Sequence, residues 1–257
     1  FRGLTMVILQ GQTKAPFARS FQSIAAGYLP GMDFRIGDYS IVALLVGVVV
    51  SLLFVIAQML GRKNKKKYGF DVLPLGFEIA KAVVVVAAVN LLTFSLAAYN
   101  GIPYILVLLT ALVLIYTFIT QKTIAGRHIY ALGGNEKAAK LSGVKTQRVM
   151  FWVYANMGMM AALAGLVVAG RLNAATPKAG TSFELDAIGA CFIGGASASG
   201  GVGTVVGAIV GGLVMGVLNN GMSIMGVSVD WQQAIKGLVL LLAVCFDVYT
   251  KTKSTRS

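Results

Sequence analysis

The sequence predicts an all-α integral membrane protein, a polytopic helical bundle of about six spans with one re-entrant or broken-helix element. Three observations carry this prediction. The 257 residues are 57% hydrophobic and only 12% charged, about half the charged share of a typical soluble domain. Several apolar runs approach the roughly 20 residues that a helix needs to cross hydrocarbon. Fourteen of the 22 lysines and arginines collect in three short tracts after alternate runs. Such a chain cannot cover itself with polar surface in water, whereas lipid solvates it; the mean hydropathy of +0.79 agrees.

The elements follow in order. The first run, Ser40–Leu60, reads SIVALLVGVVVSLLFVIAQML and holds no charge. The second covers residues 79–98, the third 103–120, and the fourth 149–170, VMFWVYANMGMMAALAGLVVAG. A fifth, 202–218, is shorter and glycine-rich, and a sixth, 234–248, is preceded by Gln232 and Gln233. Residues 188–198 are too short and too rich in Gly and Ser for a full span. They read as a re-entrant or half-helix element, tolerated at membrane depth only where protein or water shields the backbone. In the fifth run Gly203, Gly207 and Gly211 are spaced by four, as are Gly212 and Gly216. That spacing lines small residues along one helix face and lets another backbone approach. The run lacks the Gly-Lys-Ser/Thr ending of a phosphate loop, and its glycines miss the dinucleotide fingerprint by one position.

The basic residues set the orientation. Arg62, Lys63, Lys65, Lys66 and Lys67 follow the first run, and Lys122, Arg127, Lys137, Lys140, Lys145 and Arg148 follow the third. Lys251, Lys253 and Arg256 follow the last, while the opposite side holds Lys14, Arg19, Arg35, Arg171 and Lys178. The positive-inside rule therefore puts the three tracts in the cytoplasm and the turn Tyr99-Asn100-Gly101-Ile102-Pro103 outside. The crossings alternate only if residues 186–218 enter and return, which predicts a broken-helix hairpin with GGASASGG near its inner bend. Cations placed at span ends also argue against nucleic acid, which a net charge of +13 alone would suggest. The chain opens at Phe1 in what reads as mid-segment, so an N-terminal part is expected to be missing. Cys191, Cys245 and the single His128 form neither a metal-ligand spacing nor a disulfide framework.

The cytoplasmic loop 121–148, QKTIAGRHIYALGGNEKAAKLSGVKTQR, is the most informative polar stretch. Asn135 is a good N-cap, Glu136 suits a first turn, and Ala138, Ala139, Lys140 and Leu141 are strong helix formers. Gly143 suits the position just past the helix end. The prediction is a helix of about two turns, too short to stand alone in water. It must pack on its own bundle or on a partner, and both a docking helix and a plain connector remain open on these grounds.

Polar residues inside spans are costly unless satisfied. Glu78 and Lys81, three apart near the cytoplasmic end of the second run, read as an ion pair with a snorkelling lysine. Lys236 and Asp247 can reach opposite interfaces from the last run. Asn90 and Asn156 are deeper, and either line a polar path or bond between helices. No carboxylate marks a span midpoint, which points away from an ion-coupled carrier and toward an energy source on another polypeptide. On the outer side, Arg171–Asp186 is polar, and Asn219 and Asn220 are expected to end the glycine-rich run. Their amides and carboxylates could exchange hydrogen bonds with sugar hydroxyls, and ordinary solvation explains them equally well.

The stretch from AGRHIYALGGNEKAAKLSGVKTQR through AATPKAGTSFELDAIGACFIGGASASGG to GVGTVVGAIVGG resembles the membrane subunit of the ribose/xylose branch of bacterial ABC sugar importers. FRGLTMVIL also resembles a segment in the middle of those permeases. The similarity runs over nearly all of the chain, is densest over 125–248, and is nearest to the D-xylose type. It implies the ABC importer permease fold, with residues 1–257 as one permease domain and the C-terminal two-thirds of the full protein. It further implies a homodimer in the inner membrane, a separate ABC ATPase that binds the ATP, and a periplasmic sugar-binding protein. The chain itself would then hold no cofactor and no metal and catalyse no reaction. Gly133, Gly134, Asn135, Ala138, Ala139, Ser142 and Gly143 match the ATPase-coupling segment of that family. Asn90, Asn156, Asn219 and Asn220 remain candidates for the translocation path. The expected function is alternating-access import of a monosaccharide, D-xylose foremost. A secondary sugar carrier or facilitator working without an ATPase is the alternative. A membrane-embedded enzyme lacks the parts, with one histidine and no nucleophile–base grouping in view.

Overall fold

The computed structural model describes residues 2–28, 35–36, 39–68, 74–98 and 101–256. Among these the architecture is helical apart from one two-residue antiparallel ladder, Arg35–Ile36 (β1) with Tyr39–Ser40 (β2). Six helices are long and apolar enough to cross a membrane: α3 (Ile41–Lys67), α4 (Leu75–Ala97), α5 (Tyr104–Lys122), α8 (Thr146–Leu172), α10 (Val205–Ile224) and α11 (Val229–Arg256). All six expected runs are therefore helices. Their apolar side chains face outward, with Leu53 60%, Phe118 63% and Phe246 72% exposed. In water that would be untenable, and in hydrocarbon it is the solvated state. The chain is a multi-pass membrane protein.

The chain divides into two compact units, Ala18–Val107 and Phe1–Phe17 with Leu108–Ser257. In the first, which carries α2 (Arg19–Ala26), α3 and α4 form an antiparallel hairpin. Ala43 and Ala97 are fully buried with Ile102 at one end, and Leu44 and Leu106 pack against them. Gly47 lies directly against Thr93, so the helices approach closely there. Toward the cytoplasmic end, Gln58 Nε2 donates to the Glu78 carbonyl at 3.0 Å, and Arg62 reaches the Glu78 carboxylate at 2.6 Å. The ion pair expected between Glu78 and Lys81 is thus replaced by one between helices, because the antiparallel register sets Arg62 opposite Glu78. Within the outer turn expected at residues 99–103, Tyr99 and Asn100 lie outside the described residues.

In the second unit the N-terminal segment carries α1 (Arg2–Leu9), then pairs with the stretch after α8. Lys14 and Ala175 exchange backbone hydrogen bonds at 3.0 Å, and Phe17 N–H donates to Asn173 Oδ1 at 2.8 Å. The polar segment 171–186 is therefore partly occupied by the chain's own backbone. The loop 121–148, expected in the cytoplasm, holds two helices rather than one, α6 (Ile124–Gly134) and α7 (Glu136–Leu141). The first was not foreseen. Thr123 caps it, its hydroxyl accepting from Gly126 N–H at 3.3 Å.

The half-helix expected over 188–198 begins five residues earlier, as α9 (Phe183–Ile193), eleven residues and so about 16 Å long, because the glycines from Gly194 onward form the bend instead. The bend 194–203 follows, and α10 returns antiparallel to α9. A methyl group on Gly211 would overlap the carbonyl of Ala190, and one on Gly194 the carbonyl of Gly207. Gly207 and Gly211 are thus the contact face foreseen for this run, while Gly212 and Gly216 face open space. The helix α10 also runs six residues past the expected end at Leu218. Asn219 and Asn220 lie inside it and do not terminate it, because the turn comes only at Met225 and Gly226.

Candidate functional site

The short helix expected from Asn135 to Gly143 forms. Asn135 has extended backbone, and its side-chain oxygen accepts from Ala138 N–H at 3.0 Å, capping α7. Glu136 stands in the first turn and Lys140 in the last, each favourable to the helix dipole. Past Ser142, Gly143 adopts a φ of +85°, the left-handed C-terminal geometry.

The seven residues assigned to this segment separate into three groups. Asn135, Ala138, Ser142 and Gly143 are exposed, whereas Ala139 is only 4% exposed and anchors α7 to its own unit. Gly133 and Gly134 end the preceding helix α6, and Gly133 is packed on the re-entrant bend, where a Cβ on it would lie 2.6 Å from Gly201 N. A Cβ on Gly201 would in turn meet Gly134 Cα at 2.7 Å. This backbone-to-backbone contact admits no side chain on Gly133 or Gly201, whereas a Cβ on Gly134 would meet nothing within 4 Å. Leu141, named from the sequence only as a helix former, is 90% exposed at the end of α7 and is left uncovered by its own unit.

Three contacts hold the bend 194–203. Tyr130 of α6 donates its hydroxyl to the Gly203 carbonyl at 2.7 Å. Asp247 of α11 accepts from the Ser197 hydroxyl and from Ala198 N–H, both at 2.9 Å. The glycine contact with α6 is the third. Asp247, expected merely to reach the interface, therefore caps the bend. Lys236 is likewise engaged, its ammonium lying 2.9 and 3.0 Å from the two oxygens of Asp186 on α9. Both polar links join residues 50 apart, 186 to 236 and 197 to 247, and eleven residues separate them on each strand of the pairing. Thus α9 and its bend run parallel to α11 and are fastened at both ends.

Two of the four candidate path asparagines are bonded between helices. Asn90 Nδ2 donates to Ser51 Oγ at 2.9 Å and to the Val86 carbonyl at 2.8 Å. Asn156 accepts from the Tyr116 hydroxyl. Asn220 is exposed. Asn219 differs, since its Oδ1 is buried without a hydrogen-bond partner among the described residues. Replacing Asn90 by Leu is expected to lower stability by about 0.6 kcal/mol, the average for a hydrogen bond between membrane helices. Thermal unfolding in detergent measures it.

Comparison with known proteins identifies the family of the chain. A family model described as "Branched-chain amino acid transport system / permease component" matches residues 22–244. The xylose transport system permease protein of Escherichia coli is 40% identical over 258 residues, covering 99% of this chain and 62% of that protein. Its Haemophilus influenzae counterpart is 38% identical over 98% of this chain and 65% of that protein. The ribose import permease protein of Bacillus subtilis is 45% identical over 154 residues, 60% of this chain and 48% of that protein. The chain thus spans less than two thirds of the length of these relatives. No solved structure matches it.

Proposed function

Because the chain belongs to this family of transport permease components, we propose that it is the translocating part of an ATP-driven monosaccharide importer of the inner membrane, with D-xylose as substrate. The choice of xylose rests on the identity with xylose permeases over nearly the whole chain. The two units together serve as one permease domain over 1–257, with the cytoplasmic segment 121–148 as its coupling element. The protein supplies the path, while a separate ABC ATPase binds ATP and a periplasmic binding protein delivers the sugar to a permease dimer.

The observation that carries the coupling role is Leu141, an apolar knob held out by a capped helix that its own unit leaves uncovered. In this reading the exposed face of α7 docks on the ATPase. Nucleotide-driven closure pushes α7, and α6 carries the displacement to the re-entrant bend through Tyr130 and Gly133. The opposite end of the segment enters α8 directly. The two access states must bind ATPase or sugar differently for the cycle to turn, since equal affinity shifts no population. Asn219, with its unpaired buried oxygen, is the strongest of the asparagines for a sugar hydroxyl.

Affinity purification of the full-length protein from native membranes in mild detergent tests this. An ABC ATPase is expected to co-purify, and Leu141→Asp is expected to lower its retention at least about tenfold, the equivalent of 1.4 kcal/mol. Equal retention by the variant would remove the docking role. Sugar uptake by the purified protein alone, driven by an ion gradient, would instead establish the secondary carrier.

A further inference from the structure

A cleft of about 520 Å³ opens between α3 and α4 at their cytoplasmic ends. On α3 it is lined by Val55, Gln58, Met59, Arg62, Lys63 and Lys66. The spacing of these residues, in steps of three and four, is that of a single helix face. On α4 it is lined by Glu78, Ile79 and Ala82. Along the axis the lining changes character, from Val55 and Met59 at the membrane side to three cations at the mouth. Glu78 neutralises one of these, Arg62, at 2.6 Å. Lys63 and Lys66 remain exposed, one turn apart, and among the described residues Glu78 is the one acidic side chain that lines the cleft. Between the apolar and basic zones, Gln58 Oε1 is buried and has no donor among the described residues.

These features define what fits. The occupant has an apolar body, an anionic group at the level of Lys63 and Lys66, and a hydroxyl or similar donor near Gln58. A soluble phosphate or sugar phosphate would leave the apolar wall uncovered, and a zwitterionic choline lipid would set a cation against lysines and offer Gln58 no donor. The positive-inside rule puts this end of α3 at the cytoplasmic leaflet, and basic pockets between helices on that side are suited to anionic head groups. We propose that the cleft binds an anionic phospholipid of the cytoplasmic leaflet with a hydroxyl-bearing head group, phosphatidylglycerol by class. The phosphate lies between Lys63 and Lys66, the glycerol hydroxyl donates to Gln58, and an acyl chain covers Val55, Met59, Ile79 and Ala82. Bound there, the lipid bridges α3 and α4 beside the Arg62–Glu78 pair. The inference is independent of which solute the protein carries.

Native mass spectrometry of the full chain in detergent, titrated with phosphatidylglycerol or phosphatidylcholine of identical acyl chains, is the test. Phosphatidylglycerol is expected to bind about tenfold or more tighter. Lys63→Ala/Lys66→Ala should lose most of that preference, at about fivefold per lysine, and Lys63→Arg/Lys66→Arg should keep it. Lys137→Ala/Lys140→Ala removes the same charge elsewhere and should leave binding unchanged. Ala82→Phe fills the cleft without altering charge and should also weaken binding. Equal binding of the two lipids, an equal loss in both alanine pairs, or no effect of Ala82→Phe would overturn the proposal. So would displacement of the lipid by millimolar glycerol 3-phosphate, which would mean that a free phosphate suffices.

Discussion

Gly211→Ala is expected to destabilise the protein by at least about 3 kcal/mol, although helix propensity alone predicts a gain of about 0.5–1 kcal/mol from the same change. The added methyl has nowhere to go. It points at the Ala190 carbonyl, a backbone atom of α9, and the neighbouring contact between Gly194 and Gly207 prevents the helices from parting locally. Separating α9 from α10 would also pull α9 against its links to α11 at Asp186 and Ser197. Gly212→Ala, one position along, meets nothing within 4 Å and should be neutral or slightly stabilising. Thermal unfolding of the two variants in the same detergent therefore reads opposite signs. A Gly211→Ala protein as stable as the parent would mean that the hairpin is not packed backbone to backbone.

Lys236→Met is expected to cost about 3 kcal/mol, the lower end for removing one partner of a buried ion pair. The side chains of Lys236 and Asp186 are only 11% and 21% exposed, and what exposure remains lies at the edge of a span. The Asp186 carboxylate would be left without its cation in a medium that solvates charge poorly. Asp186→Leu on the Lys236→Met background removes the stranded charge and should restore most of the loss. A double-mutant cycle measured by unfolding in detergent isolates this coupling. If the double variant is no better than the single one, the loss came from packing and the pair holds α9 by shape alone.

The membrane class and the six spans were legible in the sequence because each depends on local composition. About twenty apolar residues make a span wherever they occur. The capped helix α7 was equally legible, since Asn135, Glu136 and Gly143 act on backbone groups within a few residues of themselves. The glycine face of α10 was half legible. A spacing of four marks a possible close approach, but only the position of α9 selects Gly207 and Gly211 over Gly212 and Gly216.

What only the tertiary structure decided is the partner of each polar group. Glu78 has Lys81 on its own helix, yet it bonds Arg62 across the hairpin. Lys236 and Asp247 look like interfacial charges in a linear reading, and instead they fasten α9 and its bend at two levels 50 residues away in sequence. For Asn90 and Asn156 the linear reading leaves a path and a bond between helices both open, and only the tertiary structure sets Ser51 and Tyr116 opposite them. Hydrocarbon compels a polar group to find a partner but does not say which one. Helix register and rotation make that choice, and these are set by small-residue contacts such as Gly47 on Thr93 and Gly133 on Gly201, which join residues far apart in the chain.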